Sequence, residues 1–392
     1  MSQVTMIGCD LHDRKMLLKI AVGTAPSIEK AFSNDLLGRG LMIDFVHELA
    51  ESQGSERIVF VYEASGQGYG LYDLLRDHQI EAYVLSPAHL PKTPKSRRNK
   101  TDARDAQMLL EQARGYILAG NPLPIVWTPP QALRDDRELV RGRLEAAEFC
   151  TQIKLKTLSL LKRYQVRLPS WFNDNRSWTR RFVTWLRATA DEMADVVRPV
   201  LQALIDRFET LRQEITDLDR HLRHLSKTDR YRAACTKLRE LPGVGLLTAM
   251  TFLTEMGDMS RFSNRRQVAA YLGLCPSTFE SGEQDNRKGH ITHQGPGRVR
   301  KVLCQATWAA IRTDEGTRQT WQRIKGTKPG RAKKAVVAMM RRLAIVMWHR
   351  ACEVPMAPEL INPDWPGTSA RAQQKGDVPF DSPSPRPLAQ AG

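Results

Sequence analysis

The chain has 392 residues, is 41% hydrophobic, and carries a formal net charge of +16 with a sequence pI near 9.8. That length admits two or three domains with their own cores, and the excess of lysine and arginine makes a polyanion the expected partner, because such charge attracts phosphate backbones at long range. The six cysteines are scattered, with no CxxC pair and no regular spacing to histidine, which argues against a zinc site or a disulfide framework and fits a reducing cytoplasm. The amino terminus lacks a basic stretch followed by an apolar core, and the apolar run Ala335 to Trp348 is broken by Arg341 and Arg342, so neither export nor membrane insertion is expected.

The elements begin with a hairpin. Val4 to Asp10 reads as a short buried strand ending in an acid, Met16 to Val22 as its partner, and His12 to Lys15 as the turn. An extended piece over Ile28 to Phe32 precedes an amphipathic helix, Leu36 to Ser52. The β-branched run Ile58 to Tyr62 then delivers Glu63 at its end, and a helix (Tyr69 to His78) and a strand (Glu81 to Leu85) follow. After a Pro- and Lys-rich loop, Pro91 to Lys100, Thr101 is placed to cap a helix over Asp102 to Gly115. Asp102 and Asp105 share one face of its first turn, where the positive end of the helix tolerates negative charge.

Alone, that pair is ordinary helix chemistry. It is not isolated, because the order βββαβα with a final acid-bearing helix is the arrangement of the ribonuclease-H-like fold. In that fold the first and fourth strands adjoin at the sheet centre, which would set Asp10 beside Glu63 with the Asp102 helix across them. Four converging carboxylates cannot all stay ionised without a counter-charge, and oxygen donors suit Mg²⁺ or Mn²⁺. Two such ions can activate a nucleophile and stabilise a leaving oxygen in phosphodiester chemistry.

Three motifs, Ile7-Gly8-Cys9-Asp10-Leu11-His12, Glu63-Ala64-Ser65-Gly66 and Lys100-Thr101-Asp102-Ala103-Arg104-Asp105-Ala106, resemble the DEDD transposases of bacterial insertion sequences, whose members include the bridge-RNA-guided serine recombinases. The resemblance implies a RuvC-like amino-terminal domain and carries the four catalytic, metal-holding acids onto Asp10, Glu63, Asp102 and Asp105. Lys100, just ahead of the helix, is a candidate nucleic-acid contact.

From Gln131 to about Lys237 the chain turns helical and charged. One helix is expected over Gln131 to Arg163, the Trp- and Arg-rich stretch Pro169 to Arg187 interrupts, and a second helix carries Val197, Leu201, Leu204, Phe208, Leu211, Ile215, Leu218, Leu222 and Leu225 in alternating steps of four and three. That seam fits either an intramolecular helical hairpin or a coiled coil between protomers. The family places a coiled-coil region between its two catalytic domains. Trp171, Trp178 and Trp185, with Arg176, Arg180, Arg181 and Arg187, fit either stacking on RNA bases or a buried aromatic stripe.

The turn Leu241-Pro242-Gly243-Val244-Gly245 resembles a helix-hairpin-helix element, with Gly243 and Gly245 freeing backbone amides to grip phosphate. Its continuation through Phe262 to Gly273, Cys275-Pro276-Ser277, Glu280-Ser281-Gly282, Gly289 to Gly295 and Arg298 to Lys301 resembles the carboxy-terminal transposase domain of the same family. In that domain a serine just before a glycine is the nucleophile, and Ser281 matches it, with Ser277 as the rival. A serine hydroxyl needs a base or a metal to take up its proton. The resemblance implies a composite site in which Ser281 attacks the phosphodiester while metals held by the acids of another protomer polarise it. Arg287, Lys288, Arg298, Arg300 and Lys301 would neutralise phosphates nearby; between 286 and 350 sixteen lysines and arginines face two acids.

The expected fold is therefore α/β plus all-α: a RuvC-like domain over 1–130, a helical coiled-coil assembly region over 131–237, a mainly helical transposase domain over 238–352, and a disordered tail over 353–392. The implied activity is DNA cleavage and religation through a phosphoserine link, without ATP, since no Walker-type loop is present. The implied partners are donor and target DNA, a structured bridge RNA, and further copies of the chain as a homodimer assembling to a tetramer. The competing readings are a metal-dependent junction nuclease that uses water, and a non-catalytic nucleic-acid-binding protein.

Overall fold

In the computed structural model, which describes residues 3–90, 101–173, 177–279, 287–327, 330–363 and 365, the chain divides into two units, Met1–Thr128 and Pro129–Gly392. The first is built on strands β1 (Gln3–Leu11), β2 (Lys15–Val22), β3 (Ile28–Ser33), β4 (Ser55–Glu63) and β5 (Glu81–Leu85), with helices α1 (Leu36–Ser52), α2 (Gly70–Asp77) and α3 (Asp102–Ala119). The sheet order is β3-β2-β1-β4-β5. β1 runs antiparallel to β2 and parallel to β4, and β5 continues parallel to β4.

Because strand side chains alternate between faces, this sheet is apolar on both. Ile7, Cys9, Leu18, Phe60 and Tyr62 pack with Met42, Ile43 and Val46 of α1 and Leu71 and Leu75 of α2. On the other face Val4, Met6, Val59 and Val61 pack with Leu109, Leu110 and Ala113 of α3. By this alternation Asp10 shares the parity of Met6, and Glu63 that of Val59 and Val61. Both acids therefore belong to the α3 side, at the carboxy ends of neighbouring parallel strands. Gly8 lets α3 settle there: a Cβ at that position would lie 2.2 Å from the Leu110 nitrogen and 2.3 Å from the Ala106 oxygen. Strand order and directions are consistent with a ribonuclease-H-like fold.

α3 runs past Gly115, where the sequence suggests a stop, and ends at Gly120, whose φ of 69° supplies the left-handed turn that closes a helix.

The second unit is mostly helical. Its elements are α4 (Gln131–Arg163), α5 (Arg180–Asp191), α6 (Arg198–Leu225), α7 (Arg232–Arg239), α8 (Leu246–Met256), α9 (Arg265–Tyr271), β6 (Pro276–Phe279), β7 (Arg287–Ile291), α10 (Gly297–Thr313), α11 (Glu315–Lys325) and α12 (Ala332–Cys352). α5 occupies part of the stretch expected as an interruption, and the antiparallel β6–β7 pair interrupts a region expected to be helical.

Along the α6 seam, Leu201, Leu204 and Phe208 pack with Ile153, Leu160 and Leu161 of α4 and Phe182 and Leu186 of α5, and the partly buried Leu211 and Ile215 pack against the same cluster. The amino-terminal part of the seam is thus covered within the chain. Trp178 is buried against Phe182 and Phe208, and Trp171 and Trp185 pack against the same cluster. The tryptophan repeat is a core stripe, with the Arg181 guanidinium lying over Trp171 at 4.3 Å.

α4 is tied to α8 by buried polar contacts. Arg137 Nε donates to the Thr254 carbonyl at 2.6 Å and Arg141 forks onto the Glu255 carboxylate at 2.8 and 3.1 Å. The last carbonyls of a helix have no partners within it, and Arg137 supplies one. No helix among the described residues is long and apolar enough to cross a membrane. The first part of the expected tail is ordered, with a 3-10 turn over Pro358–Leu360 that buries Leu360 and Asn362, because it packs back on α4; beyond residue 365 the tail lies outside the described residues.

Candidate functional site

Asp10 stands at the end of β1 with its side chain only 18% exposed. Two residues on, His12 Nε2 lies 3.1 Å from Asp10 Oδ2 and 3.4 Å from Asp102 Oδ1. Ligand atoms of Asp10, His12 and Asp102 all fall within 4.8 Å of one another, and this is the one group of that kind among the described residues. Thr101 has the extended backbone of an N-cap, but its side chain makes no capping bond. Its carbonyl accepts from the Arg104 and Asp105 amides, closing the first turn with both acids in it.

Burial pushes the Asp10 carboxyl above its ordinary pKa, the His12 ring opposes that, and the charges of Asp105 and Asp102 push it further up. Asp105 therefore acts on the cluster electrostatically without being part of the 4.8 Å group. Glu63 also stands outside that group; it is exposed at the end of β4, next to the Cys9–Tyr62 register pair. His12 is the member that sequence reasoning missed. Its signal was parity: two residues after a strand-end acid, it extends the same alternation. A half-buried carboxylate crowded by like charge is the condition that a bound cation relieves. A donor set dominated by carboxylates suits a hard divalent cation.

In the second unit, Ser281, like Lys100 in the first, lies outside the described residues. Ser277 donates its hydroxyl to the His290 carbonyl at 3.0 Å, across the β6–β7 pair. Arg287 and Lys288 are backbone partners of Phe279 and Thr278 in that pair. Arg298 contacts Glu145 at 2.6 Å, and Lys301 is paired with Glu148, both acids being on α4. The Arg300 guanidinium takes the carbonyls of Leu272, His293, Gln294 and Gly295 at 2.7–3.2 Å. Burial lowers its pKa.

Gly243 has a φ of +77°, and a Cβ there would lie 2.2 Å from the Ala306 carbonyl oxygen of α10. The glycine serves helix approach at this point. A Cβ at Gly245 would meet open space.

Residues 7–166 match a family model of the DEDD IS110 type, described as Transposase. Residues 235–322 match a second profile, described as Transposase IS116/IS110/IS902 family. The chain carries the transposase domains of the IS110/IS116 family. It is 35% identical over 254 residues to putative transposase y4qE of Sinorhizobium fredii, covering 64% of this chain and 58% of that one. It is 24% identical over 293 residues to the transposase for insertion sequence element IS1111A of Coxiella burnetii, covering 74% and 76%. It is 23% identical over 279 residues to the pilin gene-inverting protein of Moraxella bovis, covering 69% and 72%.

Proposed function

We propose that this chain is an insertion-sequence transposase that cuts and rejoins DNA, with Asp10, Glu63, Asp102 and Asp105 holding Mg²⁺ or Mn²⁺ and Ser281 as the nucleophile. The observation that carries the reading is the convergence of Asp10, His12 and Asp102 at the end of β1, with Asp10 partly desolvated among like charges. When bound, the cation supplies Lewis-acid stabilisation of the charge that builds on the phosphodiester.

The chain's own residues do the rest. Gly8 admits α3 to the sheet, and the first-turn amides of α3 favour the negative charge of Asp102 and Asp105. His12 Nε2 hydrogen-bonds Asp10 and lies near Asp102, so it stands between the two carboxylates. Ser281 Oγ bonds to phosphorus as it gives up its proton, and the deoxyribose oxygen that departs takes one up. The phosphoserine ester keeps the energy of the broken bond, so rejoining needs no ATP. Similarity to a pilin gene-inverting protein supports rejoining over hydrolysis, because inverting a DNA segment requires both its ends to be resealed. A structured bridge RNA that selects donor and target sequences, and a dimer assembling to a tetramer through the α6 seam, complete the proposal. The half-buried Leu218, which the intramolecular cluster does not include, is the seam position offered for that role.

The test incubates purified protein, Mg²⁺, labelled element-junction DNA and RNA transcribed from the element's flanks, and resolves the products on a denaturing gel. A protein–DNA adduct is expected from the wild type, none from Ser281→Ala, and none from Asp102→Asn although that variant still binds DNA. Free cleaved DNA produced equally by the wild type and Ser281→Ala would overturn the serine in favour of a hydrolytic nuclease. Undiminished activity of Asp102→Asn would overturn the metal assignment.

A further inference from the structure

The solvent side of α10 is a single stripe. Arg298, Lys301, Gln305, Trp308 and Arg312 follow one another at steps of three and four and are all exposed, while Val299, Val302, Leu303, Ala306, Ala310 and Ile311 on the other side are buried. Steps of three and four keep residues on one helix face. The helix carries Arg298, Arg300, Lys301 and Arg312 and no acid.

In the middle of the stripe Trp308 is 39% exposed. Its ring centroid lies 6.0 Å from that of Trp321 on α11, with the planes at 59°, so the indole is braced on one side and open on the other. Lys325 Nζ stands 5.2 Å above Trp321. A lone exposed tryptophan is an ordinary surface feature. One that is braced by a second ring and lies between cations on an acid-free helix face has the composition of a base-stacking platform.

We propose that this stripe binds an unpaired DNA strand, with one base stacked on Trp308, flanking phosphates held by Arg312 and Lys301, and Gln305 within reach of a base edge. The Arg312 guanidinium has no hydrogen bond or ion pair among the described residues, so it is available to a phosphate. Arg298 and Lys301 are paired with Glu145 and Glu148, but the four side chains are 43–48% exposed, and exposed pairs are weak enough for a phosphate to take the cation over. At 1.5 Å rise per residue, Lys301 and Arg312 stand about 16 Å apart along the axis, room for a stacked base with a phosphate on either side. The choice of DNA rests on the transposase reading above, since strand exchange exposes unpaired bases in the DNA being exchanged.

The experiment measures fluorescence anisotropy of the full chain with a labelled mixed-sequence DNA single strand, the matching duplex, and an RNA strand of the same sequence. Trp308→Ala is expected to weaken single-stranded DNA binding about tenfold, Trp308→Phe less than about threefold because a ring remains, and duplex binding is expected to change less than about twofold in either. Arg312→Gln is expected to reduce the salt dependence of single-strand binding by about one counterion. A strand carrying 5-bromodeoxyuridine should cross-link under ultraviolet light to the peptide containing Trp308, identified by mass spectrometry. That readout uses the wild-type protein and so stands even if Trp308→Ala fails to fold.

Equal single-strand affinity in wild type and Trp308→Ala, equal losses on single strand and duplex, cross-linking elsewhere, or a preference for the RNA strand would each overturn the proposal. The Ser281 adduct assay is independent: Trp308 variants that bind normally while adducts still form reject the stripe alone. Intact stacking with no adduct rejects the phosphoserine mechanism alone.

Discussion

In the amino-terminal unit Asp10 sits half-buried, with the charges of Asp102 and Asp105 raising its pKa and His12 opposing them, whereas in the carboxy-terminal unit Arg298, Arg300 and Lys301 each have acceptors from their own chain. The two regions look equally charged in sequence. Asp10 is partly desolvated among like charges, the condition that a bound cation relieves, whereas Arg300 is committed to holding a loop and Arg298 and Lys301 sit in exposed pairs to α4. Net charge predicts attraction to a polyanion, but which charges meet it depends on which are left unmatched.

The largest effect that would break this comparison lies at Asp10. Asp10→Asn should reduce DNA cleavage at least about 100-fold, as expected when a charged group that stabilises a transition state is lost. The same change should leave thermal unfolding in divalent-free buffer unchanged or raise its midpoint, because it removes a partly desolvated charge from among like charges. A variant that is both inactive and clearly less stable would mean that Asp10 is a structural residue.

Next in size is the contrast between two neighbouring cations. Arg300→Ala strips the donor from four carbonyls at once and should cost about 2–4 kcal/mol in urea denaturation, since each lost hydrogen bond to a charged group costs on the order of 1.5–3 kcal/mol and the freed carbonyls partly regain water. Lys301→Ala breaks one exposed pair and should cost no more than about 1 kcal/mol. Arg300→Lys should rescue only part of the loss, because an ammonium cannot reproduce the planar fork. Equal effects at 300 and 301 would remove the distinction between committed and available charge.

Much of the fold could be read from the chain itself. The helix over Leu36 to Ser52 and the strand over Glu81 to Leu85 stand where apolar spacing sets them, the Asp102 start of α3 follows from its acids after Thr101, and the element order places β1 beside β4. Local pattern fails where a distant segment decides the outcome. Gly115 is tolerated inside α3 because the helix has Gly120 to end on and Asn121 to fold back against it, its amide donating to the Gly115 carbonyl. α5 escapes notice because tryptophan and arginine dominate its neighbourhood, while the spacing of Phe182, Leu186 and Ala190, which is what buries it, occupies only a few positions.

The candidate site divides in the same way. Asp10, Asp102 and Asp105 announce themselves by motif, whereas His12 is marked only by its strand parity with Asp10, which sets it 3.4 Å from Asp102. Arg300 looks like a phosphate contact until Gly273 and Gly295, both at positive φ, fold the 293–295 carbonyls onto it. Gly243 also carries a packing role that its turn motif does not announce, since a Cβ there would meet the Ala306 carbonyl.

The smallest effect sharpens the comparison inside a single sheet. On β4 and β5, Arg57 grips Glu81 with two bonds of 2.8 and 2.9 Å, and this lowers the Glu81 pKa, whereas that of Asp10 is raised. A lowered folded-state pKa means that the stabilisation from Glu81 is present above its ordinary value of 4.5 and is lost as pH falls through the folded value. For Asp10 the sign reverses: its contribution is greatest below the ordinary 3.8 and is lost as pH rises through the raised value. Arg57→Gln should therefore cost about 0.5–1 kcal/mol near pH 7, the pair being partly exposed, and the gap to wild type should close as pH drops below 4.5. Asp10→Asn should instead gain on the wild type as pH rises from 4 toward 7. Chemical denaturation of both variants across that range in divalent-free buffer checks the pair of slopes, and parallel pH profiles would show that Asp10 is as well compensated as Glu81.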